Sequence, residues 1–336
     1  VSTIVEVARL AQVTPSIVSR LLNGDPSLRI RPETRERVLA AAEELQYAPN
    51  HAARALRKAS VGTLGLAVHD IHNPVYGEII AGAEAEARHQ GTILILADVD
   101  SLASDDTTFR RVVRGGAIDG LMMQRNGEAS DRVVERVAGA RVPLVILNER
   151  VRPPLSGVAV EDRRAAALAT RHLVALGHRR IAHLELGGGN SRARDRRAGW
   201  RDALREAGLA PAPDLLRIGG VRPETGYVGL TELLTTKQRP TAVFVGTLLS
   251  AVGALTAARE AGLKVPRDLS IVAFHDAWFA EHASPPLTVV RLPLREMGAQ
   301  AVRLLGETAG GAAPHQVTVT DPAPELVRRG STAPPR

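Results

Sequence analysis

From Val61 onward the chain repeats one unit, and that repetition constrains its fold more than any other feature. VGTLGLAVHD is a short apolar run bounded by loop residues, GEIIAGAEAEARHQG carries apolar residues at helical spacing closed by Gly91, and TILILADVD is the next apolar run. Further runs stand at 120–124 (GLMMQ), 142–148 (VPLVILN), 180–186 (RIAHLEL), 242–246 (AVFVG) and 269–274 (LSIVAF), with helices predicted between them. A strand that is apolar along its whole length is buried on both faces, and strands joined through helices run parallel. The pattern therefore predicts an α/β fold in two halves, with ligand chemistry gathered at the carboxyl ends of the strands.

The first sixty residues have a different texture. Thr3 followed by Glu6 is a capping box that opens a short helix through about Ala11, and Gln12 and Val13 form a turn. Thr14 is a second N-cap, with Pro15 at the first helical position, where its missing N–H costs nothing. A second helix over Pro15 to Leu22 turns Ile17, Val18, Leu21 and Leu22 inward and Ser16, Ser19 and Arg20 outward. This spacing fits a DNA-reading helix-turn-helix and an ordinary αα-hairpin equally well. Arg31-Pro32-Glu33-Thr34 opens a third helix with Val38, Leu39, Ala42 and Leu45 on one face, which completes a small three-helix unit. The following PNHAARALRK is too small to bury a core of its own.

Composition narrows the function classes. A chain of 336 residues suits a small module joined to a larger one, and 44% apolar with 24% charged residues is an ordinary globular composition. No apolar run approaches the ~20 residues that span a bilayer, and the chain starts with no charged-then-apolar signal pattern, so a cytoplasmic location is expected. The absence of cysteine excludes disulfides and thiolate metal sites, and no cofactor is expected. The net charge of +7 permits a polyanionic partner without requiring one.

Three blocks of the first sixty residues, VARLAQVTPSIVSRLLNG, RPETRERVLAAAEELQYAPN and NHAARALR, resemble the transcription regulators of the LacI/GalR family. The likeness continues in the same order through LGLAVHDIHNPVY, LATRHLVALGHRRIAHL, VPRDLSIVAFHDA, SPPLTVVRLPLREMG and PELVRRGST, which covers nearly the whole chain. The resemblance implies an all-α helix-turn-helix head group over residues 1–48 and a hinge helix over 49–60. It further implies a periplasmic-binding-protein-like (type I) effector domain of two lobes over 61–330. Lobe crossovers are expected near Val160 to Asp162, Val289 to Leu292 and Thr318 to Asp321, with TAGGAAPHQ as a loop and the final GSTAPPR frayed. No leucine heptad follows the lobes, so a homodimer is expected.

The same resemblance casts Pro15, Ser16 and Arg20 as base readers in the major groove. Arg20 can donate two bonds to a guanine, worth about 1 to 3 kcal/mol against a wrong base, or it can clamp a phosphate. Pro15 offers only shape or a thymine-methyl contact, while Thr3, Thr14, Ser19 and Asn23 hold the DNA backbone. In the hinge, Leu56 matches a leucine that wedges into the minor groove, Ala53 faces the groove, and Asn50, Arg54 and Arg57 flank them. The other reading leaves Leu56 as a helix-surface residue covered by the effector domain. Two departures stand out: Arg31 replaces a capping serine and Gln46 replaces a helix-ending glycine, at an expected cost of a few tenths to about 1 kcal/mol each.

For the effector, the resemblance points to His72, Asn73, Val75 and Tyr76 after the first strand, Asn148 and Arg150 after a later one, and Arg194 and Arg196 from NSRARDRRAGW. Leu248, His275, Asp276 and Trp278 complete the set, with Trp278 and Phe279 placed either to stack on a ligand or to pack in a lobe core. Relatives often carry aspartates where this chain has Leu248 and His275, so two acceptors of sugar hydroxyl bonds are missing while the arginines remain. That imbalance fits an anionic effector, and a less polar ligand accommodated by Leu248 and Trp278 is the competing idea.

Other classes fit less well. An exported solute-binding protein would share the lobes but would need a signal segment and have no use for residues 1–58. GGGN at 187–190 fits neither phosphate-loop spacing, no G-x-S-x-G or H-E-x-x-H occurs, and catalysis is not expected. His178 and His183 flank a strand start, where LGH reads as a helix end with Gly177 and a favourable cation. The expected mechanism is linkage, with operator and effector affinities coupled by about 1 to 3 kcal/mol, and the sequence leaves open whether the effector releases or tightens the operator.

Overall fold

The computed structural model describes residues 2–22, 25, 27–47, 60–125 and 127–336. Asn23 and the hinge residues Asn50, Ala53, Arg54, Leu56 and Arg57 lie outside the described residues. The chain divides into two units, Val1–Val61 and Gly62–Arg336. No helix among the described residues is long and apolar enough to cross a membrane.

The first unit contains α1 (Ile4–Leu10), α2 (Pro15–Leu22) and α3 (Pro32–Glu44). Thr3 and Glu6 form the capping box of α1, with the Thr3 N–H donating to Glu6 Oε2 at 2.7 Å and the Glu6 N–H donating to Thr3 Oγ1 at 3.4 Å. The helix ends in a Schellman motif, in which Gln12 takes φ +54° and the Val13 N–H donates to the Ala8 carbonyl at 2.9 Å. That left-handed residue redirects the chain into α2. The end of α3 repeats the device, with Gln46 at φ +46° and the Tyr47 N–H on the Ala42 carbonyl at 2.8 Å. Arg31, at its start, supplies no side-chain cap. Val7, Ala8, Ala11, Val18, Leu21, Val38, Ala41 and Ala42 form the core. Leu39, expected on the buried face, is 48% exposed, because the residue after Val38 is rotated by about 100° and Ala41 takes its place. Ile17 is only half-buried and stays outside this core.

The second unit holds two six-stranded sheets. The first contains β1 (Thr63–Val68), β2 (Ile93–Asp98), β3 (Gly120–Gln124), β4 (Leu144–Leu147), β5 (Ser156–Val160) and β11 (Gln316–Val319). Its order is β11-β5-β4-β3-β1-β2, parallel throughout. The second contains β6 (Ile181–Glu185), β7 (Leu216–Ile218), β8 (Ala242–Val245), β9 (Ser270–Phe274), β10 (Thr288–Arg291) and β12 (Glu325–Val327). Its order is β12-β10-β9-β8-β6-β7, antiparallel only where β12 joins β10. The helices that matter to the cleft are α4 (Tyr76–His89), α8 (Asp162–Ala175), α9 (Ser191–Glu206), α10 (Pro223–Leu234), α11 (Leu248–Glu260) and α12 (Leu294–Ala309). Shorter helices α5 (Val99–Ser104) and α6 (Asp106–Phe109) and a longer α7 (Glu128–Ala140) complete the first lobe. The chain crosses between sheets after β5, after β10 and after β11.

Close helix contact fixes the geometry around the cleft. A Cβ at Gly82 of α4 would stand 1.8 Å from the Arg295 carbonyl oxygen of α12, and one at Gly253 of α11 would stand 1.7 Å from the Pro223 carbonyl oxygen of α10. Only glycine lets these backbones touch. The C-terminus is tied down rather than frayed, because Ser331 lies fully buried beside β9. The Ile271 N–H donates to the Ser331 carbonyl at 2.8 Å, Ser331 Oγ donates to the Ile271 carbonyl at 2.6 Å, and the Thr288 N–H donates to Ser331 Oγ at 2.8 Å.

Buried histidines join these pieces as neutral rings. His178 was expected as a cation at a helix end. Instead it is buried, with Nδ1 2.9 Å from Thr241 Oγ1 and Nε2 donating to the Ala333 carbonyl at 2.9 Å, and burial pushes its pKa down. Gly177 at φ +97° does end α8. His183 donates from Nδ1 to the Phe244 carbonyl at 3.0 Å and stacks on that ring with centroids 4.6 Å apart. Burial lowers its pKa to about 3.

Two predictions arise from this packing. The unfolded chain takes up a proton on His183 near pH 6.5, whereas the folded chain cannot until about pH 3, so stability rises with pH across that window. It should fall by about 1.4 kcal/mol per pH unit for this histidine alone below pH ~6.5, and more with His178. Melting temperature should drop from pH 7.5 to pH 5 and drop less in His183→Gln; a flat profile would contradict the neutral buried rings. Gln46→Gly should stabilise α3 by a few tenths to about 1 kcal/mol by relieving its left-handed backbone, read as slower hydrogen exchange of α3 amides in the full chain.

Candidate functional site

Two surfaces carry candidate chemistry, one on each unit. On the first, Thr14, Pro15, Ser16 and Arg20 are exposed on and beside α2, and Ser19 is half-buried. Pro15 opens the helix, while the Thr14 carbonyl accepts from the N–H groups of Ile17 at 3.0 Å and Val18 at 3.3 Å. Arg20 is held on one edge, its Nε donating to Asp25 Oδ2 at 2.7 Å and its Nη2 donating to Ser27 Oγ at 3.0 Å. Hydrogen bonds from Ser27 and Arg20 keep the Asp25 carboxyl down at about 2, so it stays ionised and orients the guanidinium. The sequence reading did not single out Asp25. Thr3 is exposed, and its hydroxyl donates to Glu6 Oε2 at 2.9 Å.

The second surface is a cavity of about 50 Å³ between the two sheets of the second unit. Strand ends and helix starts from both lobes converge on it. Asn73, Val75 and Tyr76 come from the segment that opens α4, Gln124 ends β3, and Asn148 follows β4. Arg192 and Arg196 come from the first turns of α9, Thr247 and Leu248 open α11, His275 follows β9, and Leu294 opens α12. This is the placement that an open parallel sheet gives its ligands. Asn148 and His275 adopt φ +53° and +75°, an uncommon backbone state for non-glycine residues that clusters at functional sites.

Arg196 organises the second-lobe side. Its Nε donates to Asp162 Oδ1 at 2.7 Å, its Nη1 donates to the Gly246 carbonyl at 2.6 Å, and its guanidinium lies 3.9 Å from the Phe274 ring centroid. Its Nη2 stands 3.2 Å from His275 Nε2. A guanidinium only donates, so Nε2 accepts and the His275 proton sits on Nδ1. Burial, with Arg196 and Arg192 nearby, lowers the His275 pKa well below its usual value and keeps the ring neutral. Burial also pushes the Tyr76 phenol up to about 12.

Four buried polar atoms around the cavity have no partner: Gln124 Oε1, Asn148 Oδ1, Arg192 Nε and His275 Nδ1. Native interiors leave few such atoms, so their concentration on one cleft marks it as a place built for polar contacts. Among the described residues no cluster of three metal-ligating side chains occurs.

Of the residues expected at the effector site, the structure brings together Asn73, Val75, Tyr76, Asn148, Arg196, Leu248 and His275. The others lie outside the cavity lining. The His72 side chain is 90% exposed beside Asp70, and Arg194 is exposed and bonded to the Gly189 carbonyl. Arg150 Nη2 pairs with Asp195 Oδ1 at 2.6 Å. Asp276 holds Arg291 and Arg329, with Oδ2 accepting at 2.8 and 3.0 Å respectively. Trp278, 72% exposed, borders a separate groove of about 1000 Å³ instead.

Helix phase explains the arginines. Arg192 and Arg196 are four residues apart and share a face of α9, whereas Arg194 points about 200° away from either. Asn190 caps the helix by accepting from the Ala193 N–H at 2.9 Å, which sets that phase. Arg192, Gln124 and Thr247 were missed by the sequence reading. Gln124 had a signal, as a polar residue closing an otherwise apolar run.

Comparisons with known proteins match both units of the chain. Residues 3–50 match the model of bacterial regulatory proteins of the lacI family, and residues 170–332 match that of a periplasmic binding protein-like domain. The chain is 33% identical over 336 residues to the HTH-type transcriptional regulator DegA of Bacillus subtilis, covering 99% of this chain and 98% of that protein. A crystal structure of a LacI family transcriptional regulator from Mycobacterium smegmatis is 35% identical, with TM-score 0.74 over 81% of this chain and all of that one. The lac repressor dimer bound to operator and the anti-inducer ONPF is 27% identical, with TM-score 0.80 over 99% of each chain. The chain belongs to the LacI family of bacterial regulatory proteins: it is a transcriptional repressor, not an enzyme, built from a DNA-binding helix-turn-helix head group and an effector-binding domain of two lobes.

Proposed function

We propose that this repressor acts in the cytoplasm as a homodimer on a near-palindromic operator and that a small hydroxylated metabolite held between its lobes sets its operator affinity. The observation that carries the effector half is the set of four unpartnered polar atoms buried around the interlobe cavity. Residues 1–48 read the operator, with Pro15, Ser16 and Arg20 toward base edges and Thr3, Thr14, Ser19 and Asn23 toward phosphates. By the family resemblance alone, segment 49–60, of which 49–59 lie outside the described residues, is assigned the hinge role, with Leu56 and Ala53 as minor-groove contacts and Asn50, Arg54 and Arg57 beside them. The remainder binds effector and partner.

The cavity volume supports the linkage. At about 50 Å³ it is far smaller than the ~300 Å³ at which ligand clefts begin, so admitting a ligand changes the separation of the lobes. Any change of lobe separation that alters the distance between paired hinges couples effector to operator. Exposed apolar side chains on two sheet edges support the dimer. Ile93 and Leu96 of β2 are 63% and 49% exposed, and Ile218 of β7 is 63% exposed. Unpaired edges with apolar side chains are costly in water, and a second copy of the chain would cover them.

Fluorescence anisotropy with genomic fragments from around the protein's own gene tests the whole reading. Tight, sequence-selective binding that a ligand shifts is expected; weak, salt-sensitive binding indifferent to sequence would overturn it. Arg20→Ala should cost roughly 1 to 3 kcal/mol on the best operator and relax the preference at one base pair. A uniform loss across sequences would make Arg20 a phosphate contact. Leu96→Glu combined with Ile218→Glu should convert the dimer to monomer in sedimentation and weaken operator binding through lost bivalency; an unchanged dimer would place the interface elsewhere.

A further inference from the structure

We infer that the effector is a small hydroxylated anion whose carboxylate or phosphate is received by Arg192 and by the Nδ1–H of His275, with Gln124 and Asn148 holding its hydroxyls. The inference rests on the cleft being the effector site and adds the charge of what it holds.

The charges of the cavity do not cancel. Arg196 is matched by Asp162 at 2.7 Å, both buried to within a few per cent. Arg192 is 6% exposed, and among the described residues no carboxylate lies within 4.0 Å of it. Its Nη2 donates to the Arg125 carbonyl at 3.1 Å, while its buried Nε has no partner. A buried cation without a counter-charge is unfavourable, and an anion in the cleft removes that penalty.

The neighbouring groups have the matching polarity. Arg196 fixes His275 as a donor at Nδ1, and that nitrogen is buried without a partner on a residue that lines the cavity. No aspartate or glutamate is among the lining residues, and Leu248 fills a position with no acceptor at all. The helices α4, α9, α11 and α12, of 14, 16, 13 and 16 residues, all begin at the cavity and direct the positive ends of their dipoles toward it. Gln124 Oε1 and Asn148 Oδ1 remain as unpartnered acceptors, which suit hydroxyl groups rather than the anion.

Calorimetric titration of the full-length protein with matched sets of probes tests this. Each set contains a neutral aldose, the corresponding aldonate and the corresponding sugar phosphate, on pentose and hexose frames. One charged member is expected to bind about ten-fold or more tightly than its neutral counterpart, as a charge-assisted hydrogen bond predicts. The aldonate and phosphate arms identify which anion it is. Arg192→Gln should bring the charged-to-neutral ratio near one, Arg192→Lys should retain part of it, and Asn148→Ala should weaken all members of a set alike. Circular dichroism and operator binding of each variant establish that it is folded.

A neutral aldose that binds as tightly as its acid and phosphate, or an Arg192→Gln protein that keeps the preference, overturns the inference. So does a protein that binds none of the charged probes. If a neutral probe nonetheless shifts operator affinity, the effector-gated reading stands and only the charge assignment falls; if no probe of either kind shifts it, both fall.

Discussion

The cleft depends on one buried ion pair. Arg196 and Asp162 join the second turn of α9 to the first residue of α8, and the same guanidinium reaches the chain beyond β8, the Phe274 ring of β9 and the ring of His275. Stripped of either partner, such a pair leaves a buried charge at a cost of about 3 to 5 kcal/mol. The pair also decides what its neighbours can do. It consumes the acceptor lone pair of His275 Nε2 and thereby leaves that ring a donor, and it neutralises Arg196, so the free positive charge of the cavity resides on Arg192. The chemistry of the cleft is set by a contact that need not touch the ligand.

The remaining architecture makes that chemistry answerable to both lobes. Asn73, Gln124 and Asn148 belong to the first sheet and its loops, whereas Arg192 and His275 belong to the second. A ligand that satisfies polar atoms of both is a bridge between bodies that the chain itself links by three crossovers. Glycine contacts at Gly82 and Gly253 keep α4 against α12 and α10 against α11, so each lobe is closely packed along these helix pairs. Rigid bodies joined by few strands convert a local contact into a change of spacing.

Much of this was legible in the sequence because local rules and burial agree. The run GLMMQ is β3 residue for residue, and Pro15 at a helix start with Leu22 at its end gave α2 its observed limits. The three-residue strands β7 and β12 carried no comparable signal, since two or three side chains cannot display a period. The capping box, the missing cap at Arg31 and the left-handed Gln46 were readable because each depends on a few adjacent residues. The cleft was readable only in part. Helix phase separates Arg192 from Arg194, and it is fixed by the Asn190 cap, two residues upstream of Arg192. Asp276 and Trp278 follow His275 in sequence but diverge from it in space, because the left-handed backbone at His275 turns the chain away. The bond that ties Ser331 to Ile271 spans sixty residues, so no local reading of GSTAPPR could have anticipated it.

The head group follows the opposite economy from the lobes. Its core is eight small or medium side chains, four of them alanine, and two of its helices end on left-handed glutamines where glycine would be free of strain. Each such residue costs about 1 kcal/mol, and a unit of this size has little surplus with which to absorb it. Binding that selects the folded form stabilises it by mass action, so a marginal head gains more of its order from operator than a stable one would. The ion pair of Arg20 with Asp25, and the hydrogen bond that its Nη2 donates to Ser27 Oγ, order the guanidinium within the head group itself, so it has less freedom left to lose on contact with any partner. A head group with so small a core can therefore still hold Arg20 in a defined place.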